Sequence, residues 1–195
     1  MRFNKLSDIE KTVFTSRDVA RALGISQASA RVSVCRYAAK GLMIRLKRDR
    51  YALPETWKRL DGPDAFMAAG ILQPHSYISF TTALAYYDLT TQVQRGFYES
   101  VALKRTREFE IAGRAFVFTK IKDALYCGFE RKYGFFIATP EKALLDAMYL
   151  VSIGKYAMDF DAVDFTGLRK APVKKLLKKF PGTVAGMWRR YVGPF

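Results

Sequence analysis

At 195 residues with 50% hydrophobic and 26% charged side chains, the chain has the composition of a soluble globular protein long enough to bury a real core. Its 33 Lys and Arg against 18 Asp and Glu leave +15, a surplus that draws polyanions, nucleic acid foremost and anionic membrane second. No apolar run approaches the ~18 residues of a membrane span. The start MRFNKLSDIEK has no hydrophobic stretch behind its basic residues, so no signal peptide is expected.

The charge is segregated. Residues 1–60 carry 14 basic and 5 acidic side chains, residues 61–166 carry 11 and 13, and residues 167–195 carry 8 and none. A neutral middle between two basic ends is the pattern of a binding module joined to something else. The two cysteines, Cys35 and Cys127, show no CxxC spacing, so reduced thiols and a cytoplasmic location are expected.

Thr15, followed three residues later by Asp18, predicts a capped helix start. Val19, Ala20 and Leu23 give that helix an apolar face, and Gly24 supplies the left-handed turn that ends it. Ser26 caps a second helix running to about Lys40. There Ala30, Val34 and Tyr37 point inward, while Gln27, Ser29, Arg31, Ser33 and Arg36 point outward. Cys35 reads as a half-buried filler on the same helix.

Gly41 ends this helix. Residues 42–46 then read as a strand, 47–50 as a charged turn and 51–53 as the returning strand. A helix, a glycine turn, a second helix with a small, polar and basic outer face, and a basic hairpin form the pattern of a winged helix-turn-helix. A DNA-binding set follows: Thr15, Ser16, Arg17, Ser26, Gln27, Ser29, Arg31, Ser33 and Arg36, with Lys47, Arg48 and Arg50 on the wing.

Pro54 and the cluster Asp61-Gly62-Pro63-Asp64 mark a boundary, giving domains 1–60 and 61–195. Beyond it, residues 64–72 and the segment SYISFTTALAYYDL, with Ser79 or Thr81 near the helix start, read as short helices. Residues 97–104, 114–121 and 133–138 read as strands. Pro140 and Glu141 open a further helix. The expected fold class is therefore α+β, a winged helix-turn-helix followed by a mixed α/β domain.

Catalytic signals are weak. His75 follows a proline in a loop, no GxSxG elbow or glycine-rich phosphate loop occurs, and no cluster has zinc-ligand spacing. Glu130 and Lys132 have the acid-x-lysine form of metal-dependent nucleases but lack a suitably placed partner aspartate, and solvated turn residues are the preferred reading. No enzyme, cofactor or metal is expected.

Near the C-terminal end, Pro172–Phe180 predicts one amphipathic helix. Its outer face stacks Lys174 over Lys178 and Lys175 over Lys179, a repulsion that suggests an acidic partner, DNA or protein, the alternatives being an exposed solubilising face and a membrane-surface helix.

Three segments in order carry a resemblance: FTSRDVARALGIS…GLMIRLKRDRYAL, SYISFTTALAYYDLTTQ and IATPEKALLDAMYL. Together they are similar to the AbiEi antitoxins of type IV toxin–antitoxin systems. The resemblance implies an autorepressor that binds inverted repeats in its own promoter, and a C-terminal domain that helps repression and counters a nucleotidyltransferase toxin. It also implies that Tyr77, Ser79, Ala83, Leu84, Tyr86 and Tyr87 are framework residues rather than catalytic groups. At Tyr86-Tyr87-Asp88 the family pattern, His-Gly after a tyrosine, is not kept. An operator of two half-sites would take two protomers, because the chain carries one such module. The alternative reading is a stand-alone transcriptional regulator whose second domain dimerises or senses a ligand.

Overall fold

The computed structural model describes residues 2–92 and 95–194. The chain divides into two compact units, residues 1–68 with 111–113 and residues 69–110 with 114–195. The division falls inside a helix, not at the Asp61–Asp64 cluster. Gly62–Leu72 is continuous α-helix, with Pro63 in its first turn, where a missing N–H costs nothing.

Unit 1 opens with a 3-10 turn over Arg2–Asp8, followed by α1 (Ser16–Leu23) and α2 (Gln27–Ala39). A two-stranded hairpin, β1 (Ile44–Lys47) and β2 (Arg50–Ala52), comes next, then α3 (Pro54–Lys58). Leu6, Phe14, Val19, Ala30, Val34, Met43 and Tyr51 form its core. Tyr51 exchanges both backbone hydrogen bonds with Phe14 at 2.9 Å, so residue 14 extends the hairpin as a third short strand. Trp57 is 1% exposed, and its indole N–H donates to the Ile111 carbonyl at 3.0 Å, which satisfies a buried donor.

The hairpin is shorter than expected. Residues 42 and 43 precede β1, Lys47 closes it and Arg50 opens β2, so only Arg48 and Asp49 make the turn. Asp49 sits at φ 54°, a left-handed position that aspartate tolerates through local hydrogen bonds.

Across the division runs α4 (Gly62–Leu72). Unit 2 contains β3 (Ser76–Ile78), α5 (Phe80–Tyr86), β4 (Phe97–Ala102), β5 (Arg107–Ile111, whose last residue belongs to unit 1) and β6 (Arg114–Lys120). It continues through β7 (Phe129–Lys132), β8 (Phe135–Ala138), α6 (Pro140–Ser152), α7 (Lys170–Leu177) and α8 (Gly182–Tyr191). The strands form one mixed sheet in the order β5-β6-β4-β3-β8-β7. Pairs β4–β6 and β3–β8 are parallel, whereas β3–β4 and β7–β8 are antiparallel. The fold is mixed α and β, as expected.

Sequence explains the strand placement. β4 is buried along nearly its whole length, as a central strand must be, while both edge strands carry exposed charge at Arg107, Glu108, Glu130 and Arg131. Charged edges discourage pairing with another sheet. Residues 141–150 of α6 are all buried, so this helix is enclosed rather than amphipathic. Thr139 caps it and Pro140 occupies its first position.

Four elements depart from expectation. α5 starts next to Ser79, as expected, but SYI before it forms an unexpected strand, β3; β5 is likewise unexpected, and β7 takes in residues 130–132, which read as solvated turn residues, since both strands are more than half charged. The tail helix stops at Leu177, so Lys178 and Lys179 lie in a tight turn beyond it. Basic residues at a helix C-terminus complement its dipole. That offsets part of the repulsion among Lys174, Lys175, Lys178 and Lys179, all four of which are exposed. No helix among the described residues is long and apolar enough to cross a membrane.

Candidate nucleic-acid interface

One N-cap fixes the start of each N-terminal helix. Thr15 Oγ1 accepts from the Asp18 backbone N–H at 3.3 Å, and the Asp18 carboxylate accepts from the Thr15 N–H at 2.8 Å, a complete capping box. Gly24 closes α1 at φ 62°, the left-handed conformation glycine adopts without a Cβ clash. Ser26 caps α2 through the Ser29 N–H at 3.2 Å. The hydroxyls of Thr15 and Ser26 are engaged in these caps.

Asp18 is held by several donors. Burial alone would raise its carboxyl, but hydrogen bonds from Lys11 and Thr15 outweigh it and lower the pKa to about 2. The Lys11 ammonium lies 2.6 Å away, and the Asp18 side chain is 13% exposed. A folded-state pKa below the unfolded value of ~3.9 gives stability that is present above pH 4 and lost as pH falls towards 2. Asp18→Asn should cost about 1–2 kcal/mol at pH 7 and flatten that acid limb, read by urea unfolding at pH 7 and pH 3.

The outer face of α2 has a low centre and basic flanks. Ala28, Val32, Cys35 and Ala39, at i, i+4, i+7 and i+11, are all exposed and fall on one stripe. Val32 is 51% exposed. Arg31 borders the stripe on one side, Ser29 and Arg36 on the other, all exposed. Ala30 and Val34 are buried on the opposite face, as predicted.

Several sequence-predicted contacts move. Ser16 is 0% exposed, its N–H donates to Asp49 Oδ1 at 3.0 Å, and its hydroxyl accepts from Gln27 Nε2 at 2.8 Å. It ties the hairpin and α2 to α1 and presents nothing to a ligand. Gln27 is half-buried through the same bond. Ser33 is also half-buried, with its hydroxyl turned back to the Ser29 carbonyl at 2.9 Å. Cys35, expected to be half-buried, is exposed. The helix phase is thus rotated from the polar residues towards Val32 and Cys35. The repeat of small residues at 28, 32, 35 and 39 was the signal in the sequence, masked by the polarity of Gln27 and Ser33.

Asp49 anchors the hairpin. Burial would raise its carboxyl, but hydrogen bonds from Ser16 and the nearby Arg50 and Arg31 charges pull it below the ordinary range. Arg50 donates to the Asp49 carbonyl at 2.9 Å. Lys47 stands opposite Arg50 in the ladder. Burial and the Arg50 charge lower the Lys47 pKa. Arg48 and Arg17 are exposed. Like charges opposed across a two-residue turn repel, which favours a site that an anion neutralises.

In unit 2 the second and third sequence motifs meet inside the protein. The Lys142 ammonium contacts Asp146 Oδ1 and donates to the Tyr77 hydroxyl at 2.9 Å. Tyr77 and Ser79 hydroxyls donate to Asp146 Oδ2 at 3.0 and 2.9 Å. All four residues are at most 1% exposed. The Phe180 ring centre lies 5.2 Å from the lysine ammonium. This network was not foreseen, although a lysine with an aspartate four residues on in an otherwise apolar helix was its trace. Glu130 and Lys132, by contrast, form a 3.1 Å ion pair on the β7 edge, with Lys132 4.7 Å from the centre of the Tyr87 ring. Among the described residues, no group of three or more His, Cys, Asp or Glu side chains is placed to hold a metal ion.

No protein-family model and no curated protein matches the chain. Among solved structures, it is similar to the crystal structure of the RV2827C protein from Mycobacterium tuberculosis, with a TM-score of 0.61 and 12% identity. The match covers 97% of this chain and 73% of that one. At that identity the likeness is one of fold.

Proposed function

We propose that the chain is a DNA-binding transcriptional autorepressor whose first unit acts as a winged helix-turn-helix, and an antitoxin that counters a nucleotidyltransferase through its second unit. The observation that carries the DNA-binding part is the outer face of α2. Its centre is lined by Ala28, Val32, Cys35 and Ala39, and Arg31 and Arg36 flank it. A major groove about 12 Å wide accepts a helix whose innermost side chains are short, and a valine methyl packs on a thymine methyl. Arginine at the border reaches a guanine edge or a phosphate. Lys47, Arg48 and Arg50 on the hairpin then hold the strands alongside.

The antitoxin part rests on the resemblance in the segments around Tyr77 and Lys142. It is supported by their convergence into one buried network, the behaviour of framework residues rather than of a catalytic site. Two protomers would occupy the two halves of an inverted repeat.

Expression of the adjacent reading frame with and without this chain tests the whole reading, together with a reporter on the upstream promoter. A toxic nucleotidyltransferase neutralised by co-expression, and a repressed reporter, are expected. A repressed reporter with no neighbouring toxin would leave a stand-alone regulator. An unaffected reporter would refute autorepression.

A further inference from the structure

Beside the sheet in unit 2 lies a cavity of about 810 Å³, within the size range of small-molecule sites. The carboxylates of Glu99 and Asp159 line it, together with the hydroxyls of Thr81 and Tyr156 and the apolar groups of Phe97 and Met158. Among the described residues that line it there is no lysine, arginine or histidine. In a chain of net +15, a cavity walled by two acids and no base is selective by sign.

Glu99 is the centre of the wall. It is 7% exposed, and Oε2 accepts from the Tyr156 hydroxyl at 3.1 Å. Backbone N–H groups of Thr81 and Thr82 also donate to the carboxylate. With that proton given to Glu99, the Tyr156 oxygen accepts from Thr81, 2.9 Å away. Every one of these partners is a neutral dipole. Burial accordingly pushes the Glu99 carboxyl up despite the hydrogen bonds. Asp159 is exposed and makes its bonds to Gln92 Nε2 at 3.4 Å and the Asp161 N–H at 3.1 Å, again neutral donors. A cation entering the cavity would supply the countercharge that the protein does not, and the Phe97 ring would offer it an aromatic face.

We propose that this cavity binds a small organic cation, an ammonium or amidinium group carried on an apolar body, with the charge between Glu99 and Asp159 and the body against Phe97 and Met158. Anions and nucleotides are excluded by the two carboxylates. The site is independent of the α2 face, so each reading can fail without the other.

Isothermal titration of the full chain at pH 7 with phenethylammonium and benzamidinium tests it, with phenylacetate and 2-phenylethanol as anionic and neutral counterparts. Saturable one-to-one binding of at least one cation is expected, at least roughly tenfold tighter than either counterpart. Glu99→Gln should weaken it by about tenfold or more. Met158→Trp, which fills the cavity from its half-exposed wall, should abolish it while the unfolding midpoint stays near that of the wild type. If Glu99→Gln does not fold, Asp159→Asn takes its place, with a loss of at least about threefold expected. Binding of neither cation, equal binding of phenylacetate, or cation binding that survives Met158→Trp unchanged would overturn the proposal.

Discussion

Val32→Glu should reduce affinity for the upstream operator by roughly a hundredfold or more while leaving the fold intact. Val32 is 51% exposed at the centre of the α2 outer stripe, so its replacement removes no core contact, and exposed substitutions typically move stability by about 0.5 kcal/mol or less. On the proposed docking, however, the new carboxylate would face base edges and phosphates at close range. Juxtaposed like charges cost several kcal/mol, and the displaced apolar contact adds to the loss. Arg36→Ala provides the graded comparison. It should weaken binding by about 1–3 kcal/mol and relax the preference at one base position, because a bidentate contact reads one base. The two variants differ in kind. Glu at position 32 blocks every sequence, whereas Ala at position 36 changes which sequence is preferred. Competition binding with wild-type and single-base-substituted operators separates them. Unchanged affinity in Val32→Glu would mean that α2 does not enter the groove by this face.

Lys142→Met should destabilise the second unit by about 3–5 kcal/mol, the largest stability effect expected in the molecule. The substitution leaves the volume nearly unchanged but strips Asp146, itself 0% exposed, of its only charged partner among the described residues. The Ser79 and Tyr77 hydroxyls would remain, and two neutral donors do not offset the desolvation of a carboxylate. Burial already raises the Asp146 carboxyl, with the Lys142 charge acting against it, so loss of the lysine would raise it further. A carboxyl whose folded pKa lies above its unfolded value destabilises the protein once pH exceeds the unfolded value. Stability of Lys142→Met should therefore increase as pH falls from 7 towards 5, opposite in sign to the Asp18 effect. Lys142→Met combined with Asp146→Leu should recover most of the loss, since replacing a whole buried pair is often neutral. Urea unfolding of the four species at pH 7 and pH 5.5 completes the cycle. A loss below about 1 kcal/mol in the single variant would show that Asp146 is solvated or already protonated.

The N-terminal unit was readable because its chemistry is local. Thr15 with Asp18, Gly24, Ser26 and the Gly41 turn each act within four residues, so the caps and the helix order follow from the chain alone. The rotation of α2 was not local. It depends on Gln27 turning to Ser16 and on Ser16 being enclosed by Asp49 of the hairpin, 33 residues away. Hydroxyls and amides that look like a contact surface in sequence are thereby drawn inward, and apolar Val32 is left outside.

In the second unit α5, α6 and α7 were legible from proline and periodicity, but α8 and half of the sheet were not. β3 joins β4 and β8 only after chain segments more than twenty residues apart come together. β7 and β5 show too much charge to read as strands, because an edge strand is selected for solubility as much as for pairing. Lys142 and Asp146 seemed ordinary helix residues, since what makes them unusual is the enclosure supplied by Tyr77, Ser79 and Phe180.

Fluorescence anisotropy of the purified chain with its own upstream duplex, measured from about 50 to 200 mM salt, bears most directly on the central claim. Specific binding should weaken linearly on logarithmic axes with a slope of several counterions, and Lys47→Ala should lower that slope by about one while affecting all sequences alike. Absence of binding at the lowest salt, or binding that does not respond to salt, would contradict the reading of α2 and the hairpin as a DNA-binding surface.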